Sequence, residues 1–261
     1  MVVDFIQSKD NKLIKEIKKL KERKYRDSYQ KFFIEGYRFV AEAFKAKAKV
    51  ECLLVAQGQE EKYKDFLEAV SLKEKYIVKD NLFKDICSTE NPQGMAAVIS
   101  KTQYQCNFSD GIIVLVDKVQ DPGNMGTIIR TAHAVGAKAV IYSLGTVDPY
   151  NEKTLRSTMG SIFYLPVIED RKLELTTQLL SQGYKLVASS LEAEENFYDV
   201  KYGDKVIIAV GNEGNGISDD LQAMADIRVK IPMPGGAESL NVSVAASVML
   251  YEVLRQNLKL S

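Results

Sequence analysis

Apolar positions recur with two different periods along this 261-residue chain, and the alternation of the two periods outlines its organisation. Leu13, Ile14, Ile17 and Leu20 fall at helical spacing with lysines between them, which predicts an amphipathic helix over residues 9–24. Phe32–Gly36 reads as a short strand and turn, and Tyr37–Ala46 as a second helix. Strand, helix and strand follow at Glu51–Ala56, Lys62–Val70 and Lys75–Val78, then a short helix at Asn81–Cys87 and a strand at Ala96–Ser100. Strands alternating with helices in this way predict a small α/β sandwich of about a hundred residues.

The stretch TQYQCNFSDG, between Thr102 and Gly111, carries no period, and the domain boundary is placed there: residues 1–105 form one domain and 106–261 another. Ile112–Val116 (IIVLV) is a continuous apolar run, as expected of a strand buried on both faces. Beyond it, helices are expected at Gly126–Val135, Glu152–Met159, Lys172–Gln182 and Asp219–Ala225. Strands are expected at Ala139–Tyr142, Leu165–Ile168, Lys185–Ser189, Lys205–Val210 and Asp226–Ile231, with a long closing helix at Val242–Leu258. This is the pattern of a parallel α/β domain.

Composition narrows the class. The chain is 46% hydrophobic and 27% charged, as in globular proteins rather than disordered or fibrous ones. A single histidine, His133, excludes a metal site built on a histidine cluster, and on an isolated helix position it is expected to be structural. Cys52, Cys87 and Cys106 lack metal-ligand spacing, and their odd number argues against a disulfide framework, so a reducing compartment is expected. No segment approaches the roughly 20 unbroken apolar residues of a membrane span. Met1-Val-Val-Asp-Phe-Ile runs straight into charge, unlike a signal peptide, so the chain is expected to be cytoplasmic.

Charge is unevenly spread. The chain is neutral overall, yet its first fifty residues hold fourteen Lys/Arg against seven Asp/Glu, a net of +7 that the remainder balances. A polyanionic partner for that end of the molecule explains this, and so does a solvated helix face.

Open α/β sheets bind ligands beyond the carboxyl ends of their strands, and here those positions hold three unusual loops. Asp117–Gly126 (DKVQDPGNMG) turns on Pro122, Gly123 and Gly126 and opens a helix. Arg130 is expected one turn inside that helix, so its side chain can lean back to the loop mouth, where free N–H groups favour anions. A plain surface arginine is the alternative. Gly211–Ile217 (GNEGNGI) sets the carboxylate of Glu213 among three glycines that permit positive φ or close approach of a ligand. Its spacing is neither the dinucleotide fingerprint nor a Walker loop. Ile231–Asn241 (IPMPGGAESLN) carries two prolines and two glycines and delivers Ser239 and Asn241 to a helix start, where both are also good caps.

Together the three loops resemble the signature motifs of the SpoU family of RNA ribose 2′-O-methyltransferases, of the SPOUT class. Asn124 and Arg130 within DPGNMGTIIRTAHAVG are similar to the first motif. Glu213 within VGNEGNGIS matches the second, and Ser239 and Asn241 within IPMPGGAESLNVSVAASVMLYE match the third. The connecting VDPYNEKTLRSTMGSIFYLPV is also similar, and the resemblance covers roughly residues 112–258. The N-terminal IEGYRFVAEAF resembles, less specifically, the substrate-binding domain found ahead of many members that act on ribosomal RNA.

The resemblance implies a C-terminal domain tied in a trefoil knot, which general topology rules would not have suggested. It also implies a homodimer, S-adenosylmethionine as cofactor, and methylation of a ribose 2′-hydroxyl, in 23S ribosomal RNA. Transfer RNA as substrate, or a non-catalytic knotted assembly factor, are the alternatives. Arg130 then binds or deprotonates the hydroxyl, or grips an RNA phosphate, since a guanidine base is difficult with a pKa above about 12. Ser239 and Asn241 hold the hydroxyl and the loop, and Asn124 and Glu213 orient the site. Main-chain groups of Gly211, Ile231 and Leu240, with Ser189 and Glu213, are expected to hold the cofactor, and no metal is required. Arg23, Lys24, Arg26 and Arg38 are expected to meet RNA phosphates. Tyr25, Tyr29, Phe32 and Tyr37 either stack on bases or pack, and packing is expected for most of them.

Overall fold

A computed structural model describes residues 4–104 and 106–258, which fall into two compact units. One runs to Gln103 and includes Tyr150–Leu155; the other holds Tyr104–Pro149 and the described residues from Arg156 onward. No helix among the described residues is long and apolar enough to cross a membrane.

The first unit contains, in chain order, β1 (Asp4–Ile6), α1 (Lys12–Lys19), α2 (Arg23–Tyr29), β2 (Lys31–Glu35), α3 (Tyr37–Lys45) and β3 (Val50–Ala56). It continues through α4 (Lys64–Ala69), β4 (Lys75–Val78), α5 (Asp80–Ile86) and β5 (Met95–Ser100). Its five-stranded sheet has the order β1-β4-β3-β5-β2, with β5 antiparallel to both its neighbours and the other pairs parallel. Ile14, Ile17 and Leu20 pack with Phe83, Ile86, Leu54 and Val98 in one buried cluster, which is the apolar stripe read from the sequence.

The single helix expected over 9–24 is instead two. The buried Arg26 side chain donates from Nη1 to the carbonyls of Leu20 (2.7 Å) and Lys21 (2.8 Å), so a guanidinium caps the end of α1. Periodicity cannot register that break. Strand β1, at three residues, is too short to carry a pattern.

The second unit contains β6 (Gly111–Val116), α6 (Pro122–Ala134), β7 (Ala139–Ser143), α7 (Glu152–Thr158, begun in the first unit's segment), β8 (Val167–Asp170) and α8 (Glu174–Ser181). Then come β9 (Lys185–Ser189), β10 (Glu195–Asn196), β11 (Lys205–Val210), α9 (Asp219–Met224), β12 (Ile227–Lys230) and α10 (Val242–Asn257). The seven strands lie in the order β10-β12-β9-β11-β6-β7-β8 and every pair is parallel. β6 and β11 sit inside this sheet with Ile113–Val116 and Val206–Val210 essentially inaccessible, which is why they read as unbroken apolar runs.

Helix α6 begins at Pro122, four residues earlier than the sequence suggested. Asp121 is its N-cap, accepting from Asn124 N–H at 2.8 Å, and Pro122 takes the first helical position, where a missing N–H costs nothing. A Pro-Gly pair that reads as loop is here the first turn. Arg130 therefore stands eight residues past Pro122, about 12 Å along the axis at 1.5 Å per residue, not one turn inside the helix.

Candidate active site

The site begins with sheet register. Val116 of β6 is paired with Val210 of β11, so Asp117 and Gly211 leave the sheet side by side and their loops start as neighbours. Asp117 is buried; its Oδ1 accepts from Ser143 Oγ (2.6 Å) and its Oδ2 from the Ser218 N–H (2.7 Å). One carboxylate thus clips the first loop to the end of β7 and to the start of α9. The next residue, Lys118, adopts a left-handed φ of +55°, and its N–H donates to Thr146 Oγ1 (2.9 Å) and Ser143 Oγ (3.1 Å).

The second loop closes on itself. The main chains of Asn212 and Gly216 pair in both directions (2.8 and 2.9 Å), and Gly216 takes φ +69° to allow it. A Cβ on Gly211 would lie 2.1 Å from the carbonyl carbon of Gly216, so this glycine is demanded by the loop's own backbone rather than by a ligand's approach. Asn212 holds the tip, accepting from the N–H groups of Gly214 and Asn215 (both 3.0 Å) and donating from Nδ2 to the Lys118 carbonyl (2.9 Å).

That closure aims Glu213 at the start of α6. Its Oε2 accepts from Gln120 N–H (3.2 Å), and its Oε1 from Asp121 N–H (3.2 Å) and Asn124 Nδ2 (3.0 Å). Partial burial works against the ionised form. The donors, Asn124 first and then the main-chain N–H groups of Glu213 itself, Gln120 and Asp121, outweigh it and hold the carboxyl below the ordinary glutamate value.

A carboxylate only accepts, so Asn124 must turn its NH2 to Glu213 and its oxygen away. That oxygen accepts from Asn241 Nδ2 at 2.9 Å. Asn241 in turn caps α10, its Oδ1 accepting from Ser243 N–H (2.9 Å), Ser243 Oγ (2.6 Å) and Val244 N–H (3.4 Å). Glu213, Asn124 and Asn241 therefore form one directional relay across all three loops. For Asn241, capping and site-building are the same act.

The remaining sequence candidates lie outside the relay. Arg130 is exposed on α6, and no described residue engages its guanidinium; Ser239 is exposed in the third loop without a hydrogen bond to any described residue. Ser189 is half-buried at the carboxyl end of β9. Gly211 is buried, Ile231 half-buried and Leu240 exposed, and the main-chain groups of these three take part in none of the loop or turn hydrogen bonds among the described residues.

In the first unit, Arg23 Nε lies 3.5 Å from Asp27, and Lys24 Nζ lies 2.9 Å from Glu22 and 4.7 Å from the Tyr25 ring centre. Arg38 is exposed, whereas Arg26 is buried under its capping duty and is withdrawn as a phosphate contact. Phe32 is buried and Tyr37 stacks on Tyr63 at 5.4 Å, so both pack. Asp117 and Asn212 are the main parts of the site that the residue pattern does not single out. Their only signal was a polar residue directly after an apolar strand or a strand-ending glycine.

The SpoU rRNA Methylase family model matches residues 111–251, and a model for an MRM3-like substrate binding domain matches 11–97. The chain is 36% identical over 248 residues to a 23S rRNA (guanosine(2553)-2′-O)-methyltransferase of Bacillus subtilis, covering 95% of this chain and 98% of that one. It is 30% identical to a 23S rRNA (uridine(2479)-2′-O)-methyltransferase of Streptomyces viridochromogenes, covering 87% and 83%. Among solved structures, the AdoMet-bound rRNA methyltransferase from Sinorhizobium meliloti superposes with a TM-score of 0.87 at 29% identity, over 98% of this chain and 99% of that one.

Proposed function

The chain belongs to the SpoU rRNA methylase family, and from that premise we propose that it methylates a ribose 2′-hydroxyl of 23S ribosomal RNA with S-adenosylmethionine as donor. The observation that carries this reading is the Glu213–Asn124–Asn241 relay, which draws the three motif loops to one end of the parallel sheet. Residues 1–105 act as the RNA-holding domain and 106–261 as the methyltransferase domain.

Bound S-adenosylmethionine supplies an electrophilic methyl group and its own leaving group, so the protein's task is alignment. Unengaged main-chain groups at Gly211, Ile231 and Leu240 suit the adenine and ribose of such a cofactor, with Ser189 at the carboxyl end of β9, the strand between β11 and β12. Asn124 and Glu213 fix the first loop against the second, and Asn241 fixes the third. Ser239, which spends its hydroxyl on no described residue, holds the ribose hydroxyl. Arg130 has five donors and no acceptor, so it acts as a clamp on an RNA phosphate and stabilises the oxygen that develops charge as the proton leaves.

The same reading carries the trefoil knot, a cytoplasmic location and a homodimer. Support for the dimer comes from α10, where Val244 and Tyr251, 47% and 52% exposed, lie seven residues apart on one open face.

The test incubates the purified protein with radiolabelled S-adenosylmethionine and unmodified ribosomal or transfer RNA, beside Arg130→Ala, followed by alkaline digestion. Alkali-resistant labelled dinucleotides from ribosomal RNA, lost in Arg130→Ala, are expected. Label released as mononucleotide defeats the ribose assignment. Label on transfer RNA alone moves the substrate, and tight RNA binding with no label on any RNA leaves a non-catalytic assembly factor.

A further inference from the structure

His133, which the sequence suggested was structural, is exposed on α6, three residues past Arg130. Its imidazole lies parallel to the Tyr164 ring, with centroids 4.9 Å apart and planes 6° apart. Its Nδ1 is 3.1 Å from the hydroxyl of the buried Ser161. Tyr164 itself is 41% exposed. Two contacts therefore fix the orientation of a ring that faces water, and an aromatic surface already held still gives up little conformational entropy when something stacks on it.

Residues three apart on a helix are neighbours, so the exposed Arg130 leaves α6 about one turn before this aromatic pair. A preorganised aromatic face next to an arginine is the chemistry that recognises single-stranded RNA, with bases stacking on the ring and phosphate meeting the cation. His133 is nine residues past Asn124, about 13 Å along α6, farther than one nucleotide's ribose lies from its own base.

We propose that His133, backed by Tyr164, is a stacking platform for a base flanking the methylated nucleotide. The inference rests on the RNA-methylation reading above and assigns part of the substrate contact to the α6 face rather than to the N-terminal domain alone.

The test compares His133→Ala, His133→Phe and Tyr164→Ala for equilibrium binding of an unmodified 23S ribosomal RNA transcript and for steady-state methyl transfer. His133→Ala is expected to raise Kd and the RNA KM about tenfold while kcat at saturating RNA is unchanged. His133→Phe, which keeps a stacking face, stays within about twofold of wild type, and Tyr164→Ala falls between. Binding of S-adenosylmethionine is the same in all four proteins. Unchanged RNA affinity in His133→Ala, or a Phe variant as impaired as the Ala variant, overturns the platform. A change in particle mass by light scattering in His133→Ala also overturns it and assigns the ring to a protein interface. If the wild type methylates no RNA, the methyl-transfer reading fails alone, and the binding comparison still decides the platform.

Discussion

In the C-terminal unit Glu213, Asn124 and Asn241 bond to one another across 89 and 117 residues of chain, whereas in the N-terminal unit Lys15, Arg23, Lys24 and Lys45 each pair with an acid two to five residues away. The long-range contacts exist because parallel strands deliver distant loops to one end of a sheet. The local pairs exist because oppositely charged residues happen to be close on exposed helix turns. Exposed pairs of that kind are worth about 0–1 kcal/mol, so a phosphate can displace the acid at little cost. The charge carried by these four residues is thus loosely neutralised rather than bare, while the three loops form a fixed frame.

The largest expected difference between the two regions is in catalysis. Glu213→Ala removes the acceptor for two main-chain N–H groups and for Asn124, freeing the first loop from the second. A displacement of about 1 Å in such a frame costs on the order of a hundredfold in rate, so methyl transfer at saturating RNA should fall by about that much. Lys24→Ala should leave kcat alone and weaken RNA binding by a few-fold. A Glu213 variant within tenfold of wild type would mean the loops hold without the relay.

Two arginines from the N-terminal set sharpen the contrast within one unit. Arg26→Ala abandons the buried carbonyl of Leu20 and the partly buried one of Lys21 and should cost about 2–3 kcal/mol in urea unfolding. Arg38→Ala, at an exposed site, should change stability by less than about 0.5 kcal/mol. Its effect should appear instead as a fall of about one in the slope of log K against log salt for RNA binding. Equal stability losses would erase the distinction between the capping arginine and the surface one.

Much of this was legible in the residue pattern. The order of strands and helices after Gly111 follows from apolar runs and turn residues except for the two-residue β10, which has no apolar run to mark it, and the three loops stand out because Pro, Gly, Asn and Glu cluster after strands. What could not be read was contact across the chain. Nothing local to Arg26 distinguishes it from Arg23, because burial is decided by where α1 ends. Asp117 looks like an ordinary loop acid until Ser143 and Ser218 are folded against it. Arg130 lies a turn deeper in α6 than the residue pattern suggests because Pro122 at a first helical position reads as a break.

Glycines in the second loop give a smaller, cleaner test. Gly211→Ala sets a methyl group 2.1 Å from the Gly216 carbonyl carbon, backbone against backbone, and should destabilise by about 1–3 kcal/mol. At Gly214 the added carbon would lie 3.6 Å from Asn212 Oδ1, an ordinary contact, and φ is not positive there. Gly214→Ala should therefore be nearly neutral in the same urea titration. Comparable losses at both positions would mean that the loop is strained throughout rather than pinned at one point.

The subtlest effect separates the regions by the kind of partner each carboxylate has. Glu213 and Asp27 are both held below their ordinary values against opposing burial, Glu213 by neutral amides and Asp27 by Lys101 and Arg23. A depressed carboxylate adds stability that is complete above its unfolded-state value and is lost as pH falls through the folded-state value. Both groups therefore favour the folded protein at neutral pH and stop doing so in acid. Salt should tell them apart, because the Debye length shrinks from about 10 Å at 0.1 M to about 3 Å at 1 M. NMR titration of the side-chain carboxyl carbons at these two ionic strengths should move Asp27 back towards the ordinary range and leave Glu213 nearly where it was. If both relax together, the hold on Glu213 comes from distant positive charge rather than from Asn124 and the N–H groups at the start of α6.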